Sequence, residues 1–155
     1  MRTIKKKLDL GIAMRIASEH LSYRSMIEEI EGDLERVRRE EGASVQGLLR
    51  LLRSFHAQVR AHFALEEKGG LFEVYMERDF TIRRQAATLL AQHDDFQSRL
   101  RHILELMTAL ERPEGPQFER CAEELGELFR ALRAHEEAED TLLERLVEQD
   151  IRRAT

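Results

Sequence analysis

The stretch VQGLLRLLRSFHAQVRAHFALEE, residues 45–67, carries the pattern that decides the fold. Its apolar side chains recur at alternating steps of three and four residues, which is the spacing of the buried stripe of a helix in an antiparallel bundle. The same series continues through two polar residues, His62 and Glu66, at positions where a bundle normally has Leu, Ile or Phe. The segment therefore predicts a helix that buries a histidine and a carboxylate.

Three further segments of the chain show the same stripe, and each of them also includes a histidine. The additional polar residues on these stripes are His20, His93, His135 and Glu139. Breaks rich in Gly and Pro, as turns are, separate the four segments at 40–44, 68–70 with 78–81, and 111–117. The pattern predicts an all-α, up-down-up-down antiparallel four-helix bundle that forms a single domain over residues 1–155, with its core at about 10–150.

The composition agrees with this fold and disfavours several classes of function. Charged residues make up 35% of the chain, aromatic residues only 6%, and there is no Trp, which is typical of long helices rather than sheets. A net charge of −5 disfavours a nucleic-acid surface, and the single Cys excludes an internal disulfide and a Cys-based zinc site. The sequence has no apolar run of the ~18–20 residues that span a bilayer and begins without the apolar stretch of a signal peptide. We therefore expect a cytoplasmic protein with neither a nucleic-acid nor a membrane partner.

The polar residues on the stripes reveal a duplicated helical hairpin. Within each half, the two histidines are separated by 42 residues, and because a helix rises ~1.5 Å per residue they should lie at about the same height. A shift of 73 residues carries His20 to His93, His62 to His135 and Glu66 to Glu139. The bundle is thus expected to consist of two similar hairpins, with all six polar side chains meeting at one level around a pseudo-twofold axis.

A cluster of this kind predicts bound metal. Buried carboxylates without a partner cost several kcal/mol, and the stripes offer no Lys or Arg at this level to neutralise them. Imidazoles combined with carboxylates suit a pair of first-row transition metals. The Glu-x-x-His pattern of ferritin-like di-iron proteins is absent from these histidines. The pseudo-symmetry predicts His20 and His62 on one metal, His93 and His135 on the other, and Glu66 with Glu139 as bridges.

The ordered set of motifs resembles the hemerythrin-like, or HHE cation-binding, domain family. The motifs that carry the resemblance are ASEHLSY, AHFALEEKGGLF, AQHDDF and AHEEAED, which span nearly the whole chain. The resemblance implies a non-haem di-iron centre, two iron ions with bridging carboxylates and an oxo or hydroxo bridge, although other divalent metals would suit the same donors. Activities in the family include reversible dioxygen binding, sensing of oxygen, redox state or nitric oxide, and iron handling.

Two positions depart from the oxygen-carrying members of that family. Gln97 stands where the carriers have a second histidine four residues after the third-helix one, which leaves one metal short of a nitrogen ligand and disfavours reversible oxygen carriage. The carriers have an Asp five residues after the fourth-helix histidine, and Asp140 occupies that position here. We prefer Glu139 as the ligand because it keeps the phase of the stripe and matches Glu66 by symmetry, with Asp140 as the alternative.

Two further features bear on small-molecule binding. Tyr23 lies three residues from His20 on the same stripe, so its hydroxyl is a candidate donor to a bound molecule, as is the Gln97 amide. The connector at 71–80 is apolar and is expected to cover the metal-bearing end of the bundle.

Three functions remain open at the level of sequence. The favoured one is a di-iron protein that binds or senses dioxygen or a related molecule, or handles iron; a sensor would then need a separate signalling partner. The second is an oxidase or peroxidase-like enzyme with the same centre, although the sequence favours a binding protein over an enzyme. The third is a metal-free helical interaction module, in which the polar residues on the stripes fix the register of the bundle. The sequence does not indicate the oligomeric state.

Overall fold

A computed structural model describes residues 7–154 of the chain, with side chains described as far as residue 153. The helices are α1 (Leu10–Arg38), α2 (Val45–Lys68), α3 (Leu71–Met76), α4 (Phe80–Thr108) and α5 (Pro116–Ala154). Within this part of the chain there is no strand, and the four long helices pack antiparallel. The predicted all-α four-helix bundle is confirmed, with one addition: the connector between the two hairpins contains the short helix α3.

Polar side chains set the starts of three long helices. Asp9 accepts hydrogen bonds from the backbone N–H groups of Gly11 and Ile12 at the start of α1. Ser44 accepts from the Gly47 N–H at the start of α2, and Asp79 accepts from the Ile82 N–H at the start of α4. Each side chain satisfies an N–H group that has no partner inside its helix, which fixes where the helix begins.

Two glycines make the turn between α2 and α3. A Cβ on Gly69 would lie 2.4 Å from the Leu65 carbonyl oxygen, so only glycine allows the helix end to close as it does. Gly70 has φ +89°, a left-handed conformation that glycine adopts without strain. The chain can therefore turn immediately into α3, whose side chains Leu71, Phe72, Val74 and Tyr75 are buried.

The four long helices form a ring in which α1 and α4 each pack between α2 and α5, while α3 packs against α2 and α4. Their buried apolar side chains form two separate clusters. One cluster includes Phe55, Leu100 and Leu128, and the other, which contains the side chains of α3, includes Ile16 and Leu146. The polar residues predicted from the sequence lie along the helices between these two clusters.

None of the described helices combines sufficient length with sufficient apolar character to cross a bilayer.

Candidate metal centre

Six polar side chains lie buried between the two apolar clusters. Each long helix contributes one histidine, and α2 and α5 each add a glutamate one turn after their histidine. All six are at most 3% exposed: His20, His62, Glu66, His93, His135 and Glu139. The structure therefore brings together, on the inside of the bundle, every residue that the stripes predicted to face inward as a metal-binding group.

The six residues form two overlapping groups of potential metal ligands. In each group, one ligand atom from every residue lies within 4.8 Å of the others. The first group contains His20 and His62, the second contains His93 and His135, and Glu66 and Glu139 belong to both. Two sites that share two carboxylates form a binuclear arrangement.

The two oxygens of each shared glutamate face opposite halves of this arrangement. Oε1 of Glu66 contacts Nε2 of His62, whereas Oε2 of Glu66 lies 3.4 Å from Nε2 of His93. Oε1 of Glu139 lies 3.1 Å from Nε2 of His20, whereas its Oε2 lies 3.5 Å from Nε2 of His135. Each carboxylate thus spans the two histidine pairs, as a bridging ligand must.

The outer nitrogen of every histidine faces a side chain outside this group. His20 Nδ1 lies 2.7 Å from Asp140 Oδ1, and His62 Nδ1 lies 3.0 Å from Glu19 Oε2. His135 Nδ1 lies 2.7 Å from Gln92 Oε1, and His93 Nδ1 lies 3.6 Å from Glu67 Oε2. The first three partners can hold a ligating imidazole in one orientation with its Nε2 directed at a metal. The fourth distance is too long for a hydrogen bond, and His93 Nδ1 has no hydrogen-bond partner among the described residues.

The comparison with known proteins agrees with this geometry. Residues 12–147 match the family model described as the hemerythrin HHE cation binding domain. The chain belongs to the hemerythrin HHE cation-binding family. No curated protein and no solved structure matches it significantly.

The outer partners in this hemerythrin-like centre follow the same 73-residue duplication as the inner residues. Glu19 corresponds to Gln92, and Glu67 corresponds to Asp140. Glu19 and Gln92 were not predicted from the sequence, although each immediately precedes a stripe histidine and the two are related by the shift. The duplication therefore places two matched pairs of outer partners around the cluster in addition to its inner six residues.

Asp140, the alternative ligand, occupies this outer position rather than the inner one. Its Oδ1 faces His20 Nδ1, and its Oδ2 accepts a hydrogen bond from Arg24 at 3.2 Å. Glu139 is 1% exposed and lies inside the cluster, whereas the side chain of Asp140 is 32% exposed. The geometry thus favours Glu139 over Asp140 as the inner carboxylate.

The two candidate donors to a bound molecule lie beside the centre. The Tyr23 hydroxyl donates a hydrogen bond to the Gln58 carbonyl oxygen at 2.7 Å, while its ring packs edge-on against His62 with centroids 5.0 Å apart. In this arrangement the hydroxyl is engaged by the backbone and not by a cluster residue. Gln97 is half-buried one turn from His93, and its contact with a bound molecule stays a prediction.

One buried carboxylate was not anticipated from the sequence. Glu136 is 4% exposed and follows His135, and one of its oxygens has no hydrogen-bond partner. Burial raises the pKa of Glu136 to about 7, against the opposing charges of His20 and Arg24. The duplication pairs it with Phe63, whose ring stacks on His93 with centroids 3.8 Å apart. The two halves of the centre therefore differ, with a carboxyl group on the His20 side and an aromatic ring on the His93 side.

The donor atoms of the cluster fit bound metal. Both oxygens of Glu66 and of Glu139 are buried without a hydrogen-bond partner, as is Nε2 of His93 and of His135. Burial and the nearby Glu139 raise the pKa of Glu66. Burial acts to raise the pKa of Glu139 too, but the nearby imidazoles of His135 and His20 outweigh it and lower that pKa. Two carboxylates this close do not both ionise readily without a cation, so a divalent metal would relieve the conflict.

The protonation of His20 makes the stability of the metal-free chain depend on pH. Burial acts to lower the pKa of His20, but the hydrogen bond to Asp140 and the nearby Glu139 carboxylate outweigh it and raise the pKa from 6.5 to about 9. The resulting stabilisation is complete below pH 6.5 and is lost as the pH rises through 9. We expect the free energy of unfolding to fall by about 3 kcal/mol across this range, as measured by urea denaturation of chelator-treated protein.

The control for this pH dependence is Asp140→Asn, which removes the negative charge that accepts a hydrogen bond from His20 and raises its pKa. Its denaturation midpoint should fall less steeply with pH. Glu136 acts in the same direction as His20 but at lower pH, because its pKa is raised to about 7 in the folded state. A wild-type profile that is flat from pH 6.5 to 9 would contradict the prediction.

Asp140→Asn should also separate the outer role of this residue from that of a ligand. Loss of the carboxylate facing His20 Nδ1 should weaken metal binding about 10–100-fold, as for other groups that orient a ligating histidine. The variant should still hold the full complement of metal at saturation, because Asp140 lies outside the inner groups. Competition with a chelator measures the affinity and metal analysis the stoichiometry. Loss of a whole metal equivalent would show that Asp140 is itself a ligand.

Proposed function

We propose that this chain is a non-haem di-iron protein that binds or senses dioxygen or a related redox-active small molecule. The observation that carries the proposal is the position of Glu66 and Glu139, each of which presents one oxygen to each histidine pair. The bound iron ions would supply the redox chemistry. The protein would hold them with four imidazoles and two bridging carboxylates.

The donor set supports iron over the other metals that such a site could hold. Each half offers two imidazole nitrogens and one oxygen from each bridging carboxylate. Two histidines with a carboxylate and open coordination positions are characteristic of non-haem ferrous sites that react with oxygen. Four protein donors per metal would leave room for a small exogenous ligand.

One histidine in each half of the centre lines a groove that is open to solvent. His20 lines an open groove between α1 and α5, and His135 lines a second one between α4 and α5. Neither histidine is more than 3% exposed, so bulk water is largely excluded from the donor atoms. Such an environment supports binding of a diatomic molecule. A sensor would pass the signal to a separate partner protein.

Reconstitution with iron tests the proposal. Anaerobically loaded protein should hold two iron atoms per chain, one for each donor group. After exposure to air it should show the near-ultraviolet absorption of a coupled ferric pair, and this absorption should change on reduction. Protein loaded with zinc is the matched control, because zinc has no redox chemistry and should give no such absorption. Fewer than one iron atom per chain would refute the proposal.

An oxidase or peroxidase-like enzyme is the second candidate, and the groove along His135 favours it because a substrate could approach the centre there. The enzyme would also need a proton donor near the bound metal, and the Tyr23 hydroxyl is occupied by the Gln58 carbonyl. Peroxide turnover by the loaded chain faster than by the same concentration of free iron would support this candidate. Turnover at the free-iron rate would dismiss it.

A further inference from the structure

The groove between α4 and α5 has the size and lining of a site for an organic ligand. It encloses a volume of about 900 Å³. Ligand sites in proteins commonly enclose volumes of ~300–1,000 Å³ and combine apolar walls with a few polar groups. Its apolar lining comes from Leu89, Phe96, Leu142 and three alanines of α5 at 131, 134 and 138. The alanines leave space beside α4 that larger side chains would fill.

The charged groups of the groove are predominantly positive. Three arginines line it, Arg84, Arg99 and Arg145, against one carboxylate, Asp95. Arg99 lies 3.7 Å from that carboxylate. Arg145 donates to the Gln85 side-chain oxygen at 3.3 Å, and neither Arg145 nor Arg84 pairs with a carboxylate of residues 7–153. These two guanidinium groups can therefore accept an anion without giving up an existing ion pair.

The register of the two helices places this arginine pair at one end of a path to the metal centre. Contacts between Arg145 and Gln85 and between His135 and Gln92 fix the antiparallel alignment of α4 and α5. Gln92 lies eight residues along α4 from Arg84, and His135 lies ten residues along α5 from Arg145. At ~1.5 Å per residue the arginine pair is roughly 12–15 Å from the outer edge of the centre. The path between them passes Leu89 and Ala138.

The pseudo-symmetric positions show that these features belong to one half only. Gln92, the uncharged partner of His135, corresponds to the carboxylate Glu19 beside His62. Ala138 corresponds to Leu65. The charged lining of the other groove that reaches the centre, between α1 and α5, is three carboxylates, Asp140, Glu144 and Glu148, against one arginine, Arg24, which is paired with Asp140. An anion would meet carboxylates on those sides of the bundle, and of the two grooves that reach the centre the α4/α5 groove is the one with excess positive charge among the described residues.

We propose that the α4/α5 groove binds an elongated organic carboxylate. Its carboxylate lies between Arg84 and Arg145, its apolar body lies along Leu89 and Ala138, and its far end reaches Gln92 and His135. Guanidinium groups bind carboxylates through paired hydrogen bonds, which accounts for the charge at one end of the groove and the apolar lining beyond it. The site does not depend on the metal centre, so it is expected in the metal-free and in the iron-loaded chain.

Calorimetric titration with decanoate tests the proposal, with 1-decanol as the uncharged probe of the same chain length. Decanoate should bind the metal-free and iron-loaded proteins alike, and more tightly than decanol. Arg84→Gln with Arg145→Gln should weaken decanoate binding by about tenfold or more, since charge-assisted hydrogen bonds are lost. Ala138→Leu, which introduces the side chain found at the symmetry-related position, should weaken both probes by filling the groove.

The matched control is Arg83→Gln with Arg130→Gln, which removes two exposed arginines from the same helices outside the groove lining. This variant should bind decanoate as the wild type does. No decanoate binding by the wild type, equal losses in the two double variants, or decanol binding as tight as decanoate would each overturn the proposal. Because the titration is done on metal-free protein as well, it can succeed where iron loading fails, and the two results are distinguishable.

Discussion

Loading the metal-free chain with ferrous iron is expected to raise its melting temperature by about 10 °C. A ligand that binds only the folded state at about 1,000 times its dissociation constant adds about 4 kcal/mol to the free energy of unfolding. For a chain of this length, each kcal/mol raises the melting temperature by about 2–4 °C. The gain should be substantial because metal would satisfy the carboxylate oxygens of Glu66 and Glu139 that lack hydrogen-bond partners. Anaerobic scanning calorimetry before and after loading measures it.

Magnesium at the same concentration is the control for this experiment. It prefers oxygen ligands and octahedral geometry, so a site with two imidazoles in each half should bind it poorly. Its addition should therefore leave the melting temperature unchanged. If iron also leaves it unchanged, the metal-free interaction module becomes the better account. The buried polar layer would then serve only to set the register of the helices.

The sequence allowed the fold and the inner part of the site to be predicted because both depend on one stripe per helix. Alternating steps of three and four residues identified the long helices, and His20 and His62 stood out because they interrupt an apolar series. The 73-residue shift then related them to His93 and His135. Periodicity and duplication together define which side chains face inward at a common height, and these are the groups that meet in the structure.

The outer part of the site could not be predicted in this way because it lies beside the stripe. Successive residues on a helix point about 100° apart, and a packed helix buries a face at least that wide. Glu19 immediately precedes a stripe position, and Glu136 follows one, so periodicity alone gives no reason for either to contact the core. Their positions depend on how closely the neighbouring helix approaches, which is a property of the packed bundle.

The orientation of individual polar side chains could not be predicted from the sequence either. The spacing allowed Asp140 to face either the metal or the rim of the cluster, and the position of Arg24 beside it accounts for the outward orientation. Tyr23 lies on the expected stripe, yet its hydroxyl donates a hydrogen bond to the Gln58 carbonyl oxygen of the adjacent helix. Both outcomes depend on a partner that is distant in sequence and near in space.

The double substitution Glu66→Gln with Glu139→Gln should abolish the stabilisation by iron while leaving the bundle folded. Glutamine keeps the size of glutamate but cannot carry the negative charge that holds two divalent cations. Bound iron should fall from two atoms per chain to fewer than one, and the gain of about 10 °C on loading should disappear. Metal analysis, circular dichroism and calorimetry measure stoichiometry, fold and stability on the same sample.

Glu137→Gln is the matched control, because Glu137 is exposed on α5 two residues from Glu139. It should retain two iron atoms and the full thermal gain.

The stabilities of the metal-free wild type and the metal-free double variant distinguish a packing role from a metal-binding role. If the carboxylates served only the packing of the bundle, the double variant should melt below the wild type even without metal, since buried imidazoles would lose charged partners. If they serve to bind metal, the metal-free variant should be at least as stable above pH 9, where His20 is neutral and its charge no longer stabilises Glu139, because the repulsion between two buried carboxylates has been removed. Retention of two iron atoms by the double variant would contradict the bridging role on which the di-iron proposal depends.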